Sequence, residues 1–153
     1  MTVTLFWVGK TKENFIKEAI KKYIRDIGAL GRADVRVVEI KEEKGEKARA
    51  AALRREGGRI LRQAGDFVLL DEGGKMMTSV EFAGWLGEKF QSGQDCRFVI
   101  GGPYGVSQEV KDAAAHRVSL SPMTFPHELA RVMLLEQIYR AFSILKGRAY
   151  HHA

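Results

Sequence analysis

One cysteine, three prolines and four histidines are spread over 153 residues, and each scarcity narrows what the chain can be. A lone Cys96 excludes an internal disulfide and suits a reducing cytosol. It opens the apolar run CRFVI and reads as a buried strand position, and no base lies near it in sequence to make it a nucleophile. His116, His127, His151 and His152 have no cysteine or carboxylate partners at ligand spacing, so no metal site is expected. No apolar stretch approaches the ~20 residues of a membrane helix. The start, MTVTLFWVGKTK, lacks the charged, apolar, then small-residue pattern of a signal peptide and reads as an immediate strand. A cytoplasmic, membrane-free protein is the expectation.

What is abundant is apolar surface and positive charge. The 45% hydrophobic content fills one core, so residues 1–153 are expected to form a single domain. The net charge of +6 favours an anionic partner, of which RNA or DNA is the usual kind. Lys44, Lys47, Arg49, Arg54, Arg55, Arg59 and Arg62 gather around one helical stretch with glutamates interleaved. They read as a solvated helix face or as a phosphate-docking face.

Hydrophobic periodicity alternates between two and 3.6 residues along the chain. Strands are expected at Val3–Val8, Asp34–Ile40, Phe67–Leu70, Arg97–Ile100 and Val118–Leu120. Helices are expected from Lys12 to Ile27 with Thr11 as cap, and from Glu46 to Ala64 with a possible break at Gly57-Gly58. Further helices run from a Thr78/Glu81 capping box to Phe90, from a Ser107 cap to Ala115, and from Glu128 to Leu145. Strict alternation implies an α/β fold: a largely parallel sheet with helices on both faces.

Three strand-to-helix loops stand out: LDEGGK (70–75), IGGPYGVS (100–107) and LSPMTFPH (120–127). In a parallel sheet such loops share the carboxyl edge, where ligands bind. Gly101, Gly102 and Gly105 exceed what a turn needs and allow close backbone approach, while Pro103, Pro122 and Pro126 stiffen the same loops. Two familiar motifs fail here. Gly9-Lys10-Thr11 lacks the P-loop's earlier glycine, since Thr4 stands there. Gly101-Gly102-x-x-Gly105 lies late in the chain, and the acidic ribose-binding residue expected about 20 positions on is missing from RVSLS.

Four features then carry a resemblance: IGGPYG; Ser121-x-x-Thr124-x-Pro126-His127; Arg131-Val132-x-x-x-Glu136-Gln137-x-Tyr139-Arg140-Ala141; and the terminal Tyr150-His151. Together they resemble the RlmH family of SPOUT methyltransferases over the whole chain. The resemblance implies a C-terminal trefoil knot, a homodimer, and S-adenosylmethionine held by Leu70, Gly102, Ser121, Pro122, Met123, Thr124, Phe125 and Pro126. It implies methylation at N3 of a pseudouridine in the helix 69 stem-loop of 23S rRNA, in the assembled ribosome. Less specific readings of the same residues are a transfer-RNA methyltransferase of that superfamily, or a non-catalytic RNA- or ribosome-binding protein.

Such a transfer needs no metal and no covalent intermediate, only positioning, a proton acceptor and a cation near the flanking oxygens. His151 is the expected base, Arg140 or Arg131 the cation, and Tyr150 the stacking or hydrogen-bonding partner of the base. Glu136 and Arg140, at i,i+4, have the alternative of pairing with each other, and His127 the alternative of supporting its loop. The family often ends in a basic residue after Tyr-His. Here His152 stands in that place, so His152 or Arg148 must serve.

Overall fold

The computed structural model describes residues 1–44 and 48–152. Five strands alternate with five helices: β1 (Thr2–Val8), α1 (Asn14–Ala29), β2 (Asp34–Ile40), α2 (Arg49–Ala64), β3 (Val68–Met76), α3 (Ser79–Gln91), β4 (Cys96–Ile100), α4 (Gln108–Ala113), β5 (His116–Ser119) and α5 (His127–Leu145). All strand pairs are parallel, in the order β2-β1-β4-β3-β5. The α/β fold with a parallel sheet is therefore as the alternation implied.

The period-two pattern of β1 explains the two layers. Val3, Leu5 and Trp7 enter a core shared with α1, α3 and α5, while Phe6 and Val8 enter a second core with Ile60 and Ala64 of α2 and Val110 of α4. Every fully buried Leu, Ile or Phe there contributes on the order of 1.5–3 kcal/mol. The lone Cys96 is 2% exposed in the first core, and burial pushes its thiol up to about 12. It is a packing residue, as its apolar run suggested.

Local rules hold for some helix starts and fail for others. Thr78 accepts from the Glu81 N–H at 3.2 Å while the Glu81 carboxylate accepts from the Thr78 N–H at 2.7 Å, completing the expected capping box. Ser107 caps α4 through the Val110 N–H. Thr11 does not cap α1. Helix α1 begins after Glu13, and the Glu128 carboxylate of α5 accepts from the N–H groups of Lys12 and Glu13 at 2.9 and 3.1 Å. The helix has no side-chain cap; Glu128, 115 residues away, instead anchors the turn that leads into it. The expected start of the second helix at Glu46 lies outside the described residues, as do Lys47 and Ala153.

Two glycine pairs behave differently from the reading above. Residues 71–76 are not a loop: β3 continues through them and re-pairs with β5 after a register shift between Leu70 and Lys75. A Cβ on Gly74 would lie 2.6 Å from the Arg117 carbonyl carbon, so the glycine permits backbone contact instead of a turn. Nor does α2 break at Gly57-Gly58. Gly57 lies where α2 meets the start of α4, and a Cβ there would stand 2.5 Å from the Ser107 hydroxyl.

Arg131 is the only arginine among the fully buried side chains, at 0% exposure. It donates from α5 to the Thr11 hydroxyl (2.8 Å), the Val8 carbonyl (2.8 Å) and the Gly9 carbonyl (3.3 Å), with its guanidinium 4.9 Å from the Trp7 ring centre. These bonds join the last helix to the end of the first strand.

Two stability predictions follow from these contacts. Gly57→Val is expected to cost about 1–3 kcal/mol through overpacking, whereas Gly58→Ala, whose Cβ would meet only the end of the Arg62 side chain, is expected to gain up to about 1 kcal/mol. Urea unfolding followed by circular dichroism decides it, and equal effects at both positions would refute the close contact. Arg131→Met, which strips a charged donor from three acceptors, is expected to cost about 2–4 kcal/mol in the same assay; a loss under 1 kcal/mol would show the clamp to be dispensable.

Candidate functional site

The carboxyl ends of β3, β4 and β5 and the start of α5 enclose a cleft of about 440 Å³. All three segments singled out in the sequence reach it: residues 70–72 from the first, 100–106 from the second and 120, 121, 123–125 and 127 from the third. The volume falls in the range of roughly 300–1,000 Å³ usual for small-molecule sites.

Backbone forms much of the wall, for reasons visible in the loops. The Gly105 N–H donates to the Gly102 carbonyl at 3.0 Å, closing a turn whose tip is Pro103 and Tyr104. Gly105 takes φ +79°, and a Cβ on Gly101 would lie 2.9 Å from the Gly105 carbonyl. The turn thus folds hard against the strand end, and only glycine fits. The third loop is braced twice. The Ser121 hydroxyl accepts from the Met123 N–H at 3.0 Å, and the Thr124 hydroxyl donates to the Glu72 carboxylate at 2.7 Å. That last bond ties the third loop to the first.

Of the eight residues expected to hold a cofactor, Leu70, Gly102, Ser121, Met123, Thr124 and Phe125 line the cleft. Pro122 and Pro126 belong to the same loop but are not in its wall. The structure adds Asp71, Glu72, Lys111, His127 and Ala130. Asp71 and Glu72 sit inside the segment LDEGGK, so a signal was present. Lys111 projects from α4 with no local signal at all, because only the crossing of α4 over the sheet edge brings it there.

Burial alone would raise the Asp71 carboxyl, but the Arg117 guanidinium and the Gly73 N–H overcome it and hold the group below its ordinary value. Asp71 is a carboxylate at neutral pH. Burial, reinforced by the charge of Arg131, holds the His127 imidazole below its ordinary value, so it is neutral at pH 7.

The expected catalytic residues Arg140, Tyr150 and His151 come together, but away from this cleft. Arg140 donates to Glu136 at 2.6 Å, the Tyr150 hydroxyl donates to the same carboxylate oxygen at 3.1 Å, and Arg140 lies 3.2 Å from His151 Nδ1. The Arg140 guanidinium also sits 4.8 Å from the Tyr150 ring centre, and Tyr139 meets that ring edge-on at 4.8 Å. Arg140 thus makes the i,i+4 pair with Glu136 and also contacts the tail. Arg140 can only donate, so His151 Nδ1 accepts and its proton sits on Nε2. Burial and the Glu136 charge push Tyr150 up to about 12, which keeps it a donor.

Ten residues of α5 separate Ala130, in the cleft, from Arg140, which is roughly 15 Å of helix. Arg131, the other candidate cation, is sealed in the interior on backbone acceptors and cannot meet a substrate. In the basic stretch, Arg55 and Arg59 pair with Glu43 and Arg59 also donates to the Lys41 carbonyl, while Arg49 covers the Tyr104 ring. Part of that face is therefore a set of internal ion pairs. No helix among the described residues is long and apolar enough to cross a membrane.

Comparison with known proteins agrees with this geometry. The family model described as "Predicted SPOUT methyltransferase" matches residues 1–151. The ribosomal RNA large subunit methyltransferase H of Thermodesulfovibrio yellowstonii is 43% identical over 149 residues, covering 97% of each chain. The protein of the same name from Geobacter sp. strain M21 is 44% identical over 157 residues, covering 99% of each. Among solved structures, a methylase family protein from Haemophilus influenzae superposes with a TM-score of 0.53 at 9% identity, covering 99% of this chain and 70% of that one. The Legionella pneumophila protein Lpg2936, solved with SAM bound, gives 0.51 at 14% identity, covering 90% and 65%. With a matching model over nearly its whole length and relatives above 40% identity, the chain belongs to the SPOUT methyltransferase family.

Proposed function

We propose that this protein methylates large-subunit ribosomal RNA with S-adenosylmethionine, at N3 of the helix 69 pseudouridine in the assembled ribosome, and works in the cytoplasm. The observation that carries the reading is the cleft: two loops and the continuation of β3 line a space of about 440 Å³ at one sheet edge. Relatives above 40% identity bear the name of a ribosomal RNA large subunit methyltransferase. The C-terminal trefoil knot implied by the family belongs to the same proposal.

The residues present fit an adenosyl methyl donor. Leu70 and Phe125 offer apolar wall, and the glycine turn lets a ligand approach the backbone closely. A Cβ at Gly102 would touch Val8 at 3.4 Å, so a larger side chain there has to turn away from Val8. S-adenosylmethionine supplies a methyl group already activated on a sulfonium. The chain's own residues have then to orient the acceptor, exclude water and move one proton, of which positioning alone can supply about 7–11 kcal/mol.

Proton handling falls to the α5–tail cluster. His151 accepts the N3 proton at Nδ1 as Arg140 turns from it to the ring oxygens that gather negative charge. Tyr150, protonated through neutral pH, donates to or stacks on the base. Because this cluster lies roughly 15 Å along α5 from the cleft of its own chain, the reading includes a homodimer in which one copy's tail serves the other's cleft.

The deciding experiment supplies labelled S-adenosylmethionine with ribosomes that carry or lack the pseudouridine, and transfer RNA as a competing acceptor. Label is expected only in pseudouridine-containing large-subunit RNA, and Gly102→Trp is expected to abolish cofactor binding while the fold, checked by circular dichroism, survives. Label in transfer RNA instead, or no cofactor binding by the native chain, overturns the proposal. The neutral His127 adds a pH signature. Its neighbours Glu128 and Arg131 on α5, and Glu42 and Lys12 from the facing loops, all act on it. Protonation places positive charge beside a cationic donor, so cofactor affinity is expected to stay level down to pH 6.5 and to fall below it. Titration calorimetry from pH 8 to 5 should show the fall in the native chain and none in His127→Gln.

A further inference from the structure

Beside the cleft lies a second cavity of about 390 Å³, and the wall between the two is the turn tip, Pro103 and Tyr104. Tyr104 is 60% exposed, a large share for an aromatic ring held on a rigid turn. Arg49, the first residue of α2, lays its guanidinium 3.1 Å from the centre of that ring and has no acidic partner among the described residues. Lys12 and Lys44 line the same second cavity. Of its acids, Glu43 is spent on Arg55 and Arg59, and Glu56, 7% exposed, accepts the Glu43 N–H at 2.8 Å. Glu42 is the acid left over. Phe15, 65% exposed in the first turn of α1, stands three residues from Lys12.

Exposed aromatics set among unpaired cations suit single-stranded nucleic acid. Every base has a π-face to stack, and the cations neutralise the phosphates between bases. The glycine turn prepares Tyr104 for this, because its position is fixed by backbone contacts before any ligand arrives. The methyl donor accounts for the cleft on one side of Tyr104. The second cavity has no such claimant, and it lies where an RNA strand would continue once its target base entered the cleft.

We infer that Tyr104 and Arg49 form a clamp for an unpaired nucleotide flanking the target, Tyr104 stacking its base and Arg49 holding an adjacent phosphate, with Lys12 and Lys44 along the strand's path. The inference rests on the RNA methyltransferase reading and adds to it an RNA contact on the far side of the turn tip, whose near side walls the cofactor cleft. It acts on the affinity for RNA more than on that for the methyl donor.

Steady-state methyl transfer to undermethylated large-subunit particles, with cofactor affinity measured separately by calorimetry, tests it. Tyr104→Ala is expected to raise the KM for ribosomal particles roughly 5- to 150-fold, a larger change than any in cofactor affinity. Tyr104→Trp is expected to keep KM near native. Arg49→Glu is expected to raise KM as well, and Arg49→Ala to reduce the slope of log affinity against log salt by about one. If the native chain transfers methyl but KM is unmoved in both Tyr104→Ala and Arg49→Glu, the clamp is wrong and the functional reading stands. If Tyr104→Ala weakens cofactor binding instead, Tyr104 belongs to the donor's cleft and the clamp is again wrong. If the native chain transfers no methyl to these particles, the functional reading fails, and the clamp with it.

Discussion

A single buried cation ties this fold together. Arg131 brings a positive charge to 0% exposure and spends it on the Val8 and Gly9 carbonyls and the Thr11 hydroxyl. A buried charge without such acceptors would cost several kcal/mol, so α5 and the end of β1 are held in one mutual position. One turn earlier on the same helix, Glu128 accepts from the Lys12 and Glu13 N–H groups just before α1. Together the two side chains dock the start of the last helix on the first strand-to-helix connection. His127 and Ala130, beside them, then face the cleft.

That docking sets the geometry of the chemistry. The cleft is made where three loops are braced against each other, by the Gly102–Gly105 turn and by Thr124 on Glu72. Further along α5, Arg140 and the Tyr150 hydroxyl are gathered on Glu136. One helix thus holds the cleft wall at its start and the Arg140–Tyr150–His151 cluster near its end, roughly 15 Å apart. The tail is no loose end in this arrangement, because Tyr150 is packed against Tyr139 and hydrogen-bonded to Glu136.

Much of this was legible without coordinates. Alternating periodicity revealed ten elements and their layering, because β1 and its neighbours must feed opposite cores on alternate residues. The three loops were recognisable by glycine and proline in excess of what turns require. Local readings failed where a distant group competed: Thr11 accepts from Arg131 and does not cap α1, and the glycines of 73–74 and 57 are sites of close contact, not loop or breakpoint. Arg131 was misread as a reaction cation because a charge on a helix looks alike in sequence whether it faces water or carbonyls.

By itself, then, the order of residues settled whatever depends on near neighbours: strand and helix identity, the capping box at Thr78, the flexibility of the glycine turn, and the motifs that mark the family. Tertiary structure alone decided which residues from remote parts of the chain share a space. Lys111 joined the cleft, Arg49 came to lie on Tyr104, and Glu128 of α5 reached the turn before α1. The physical reason is that such contacts are set by how helices cross a twisted sheet, which involves separations of tens of residues and leaves no periodic trace in the sequence.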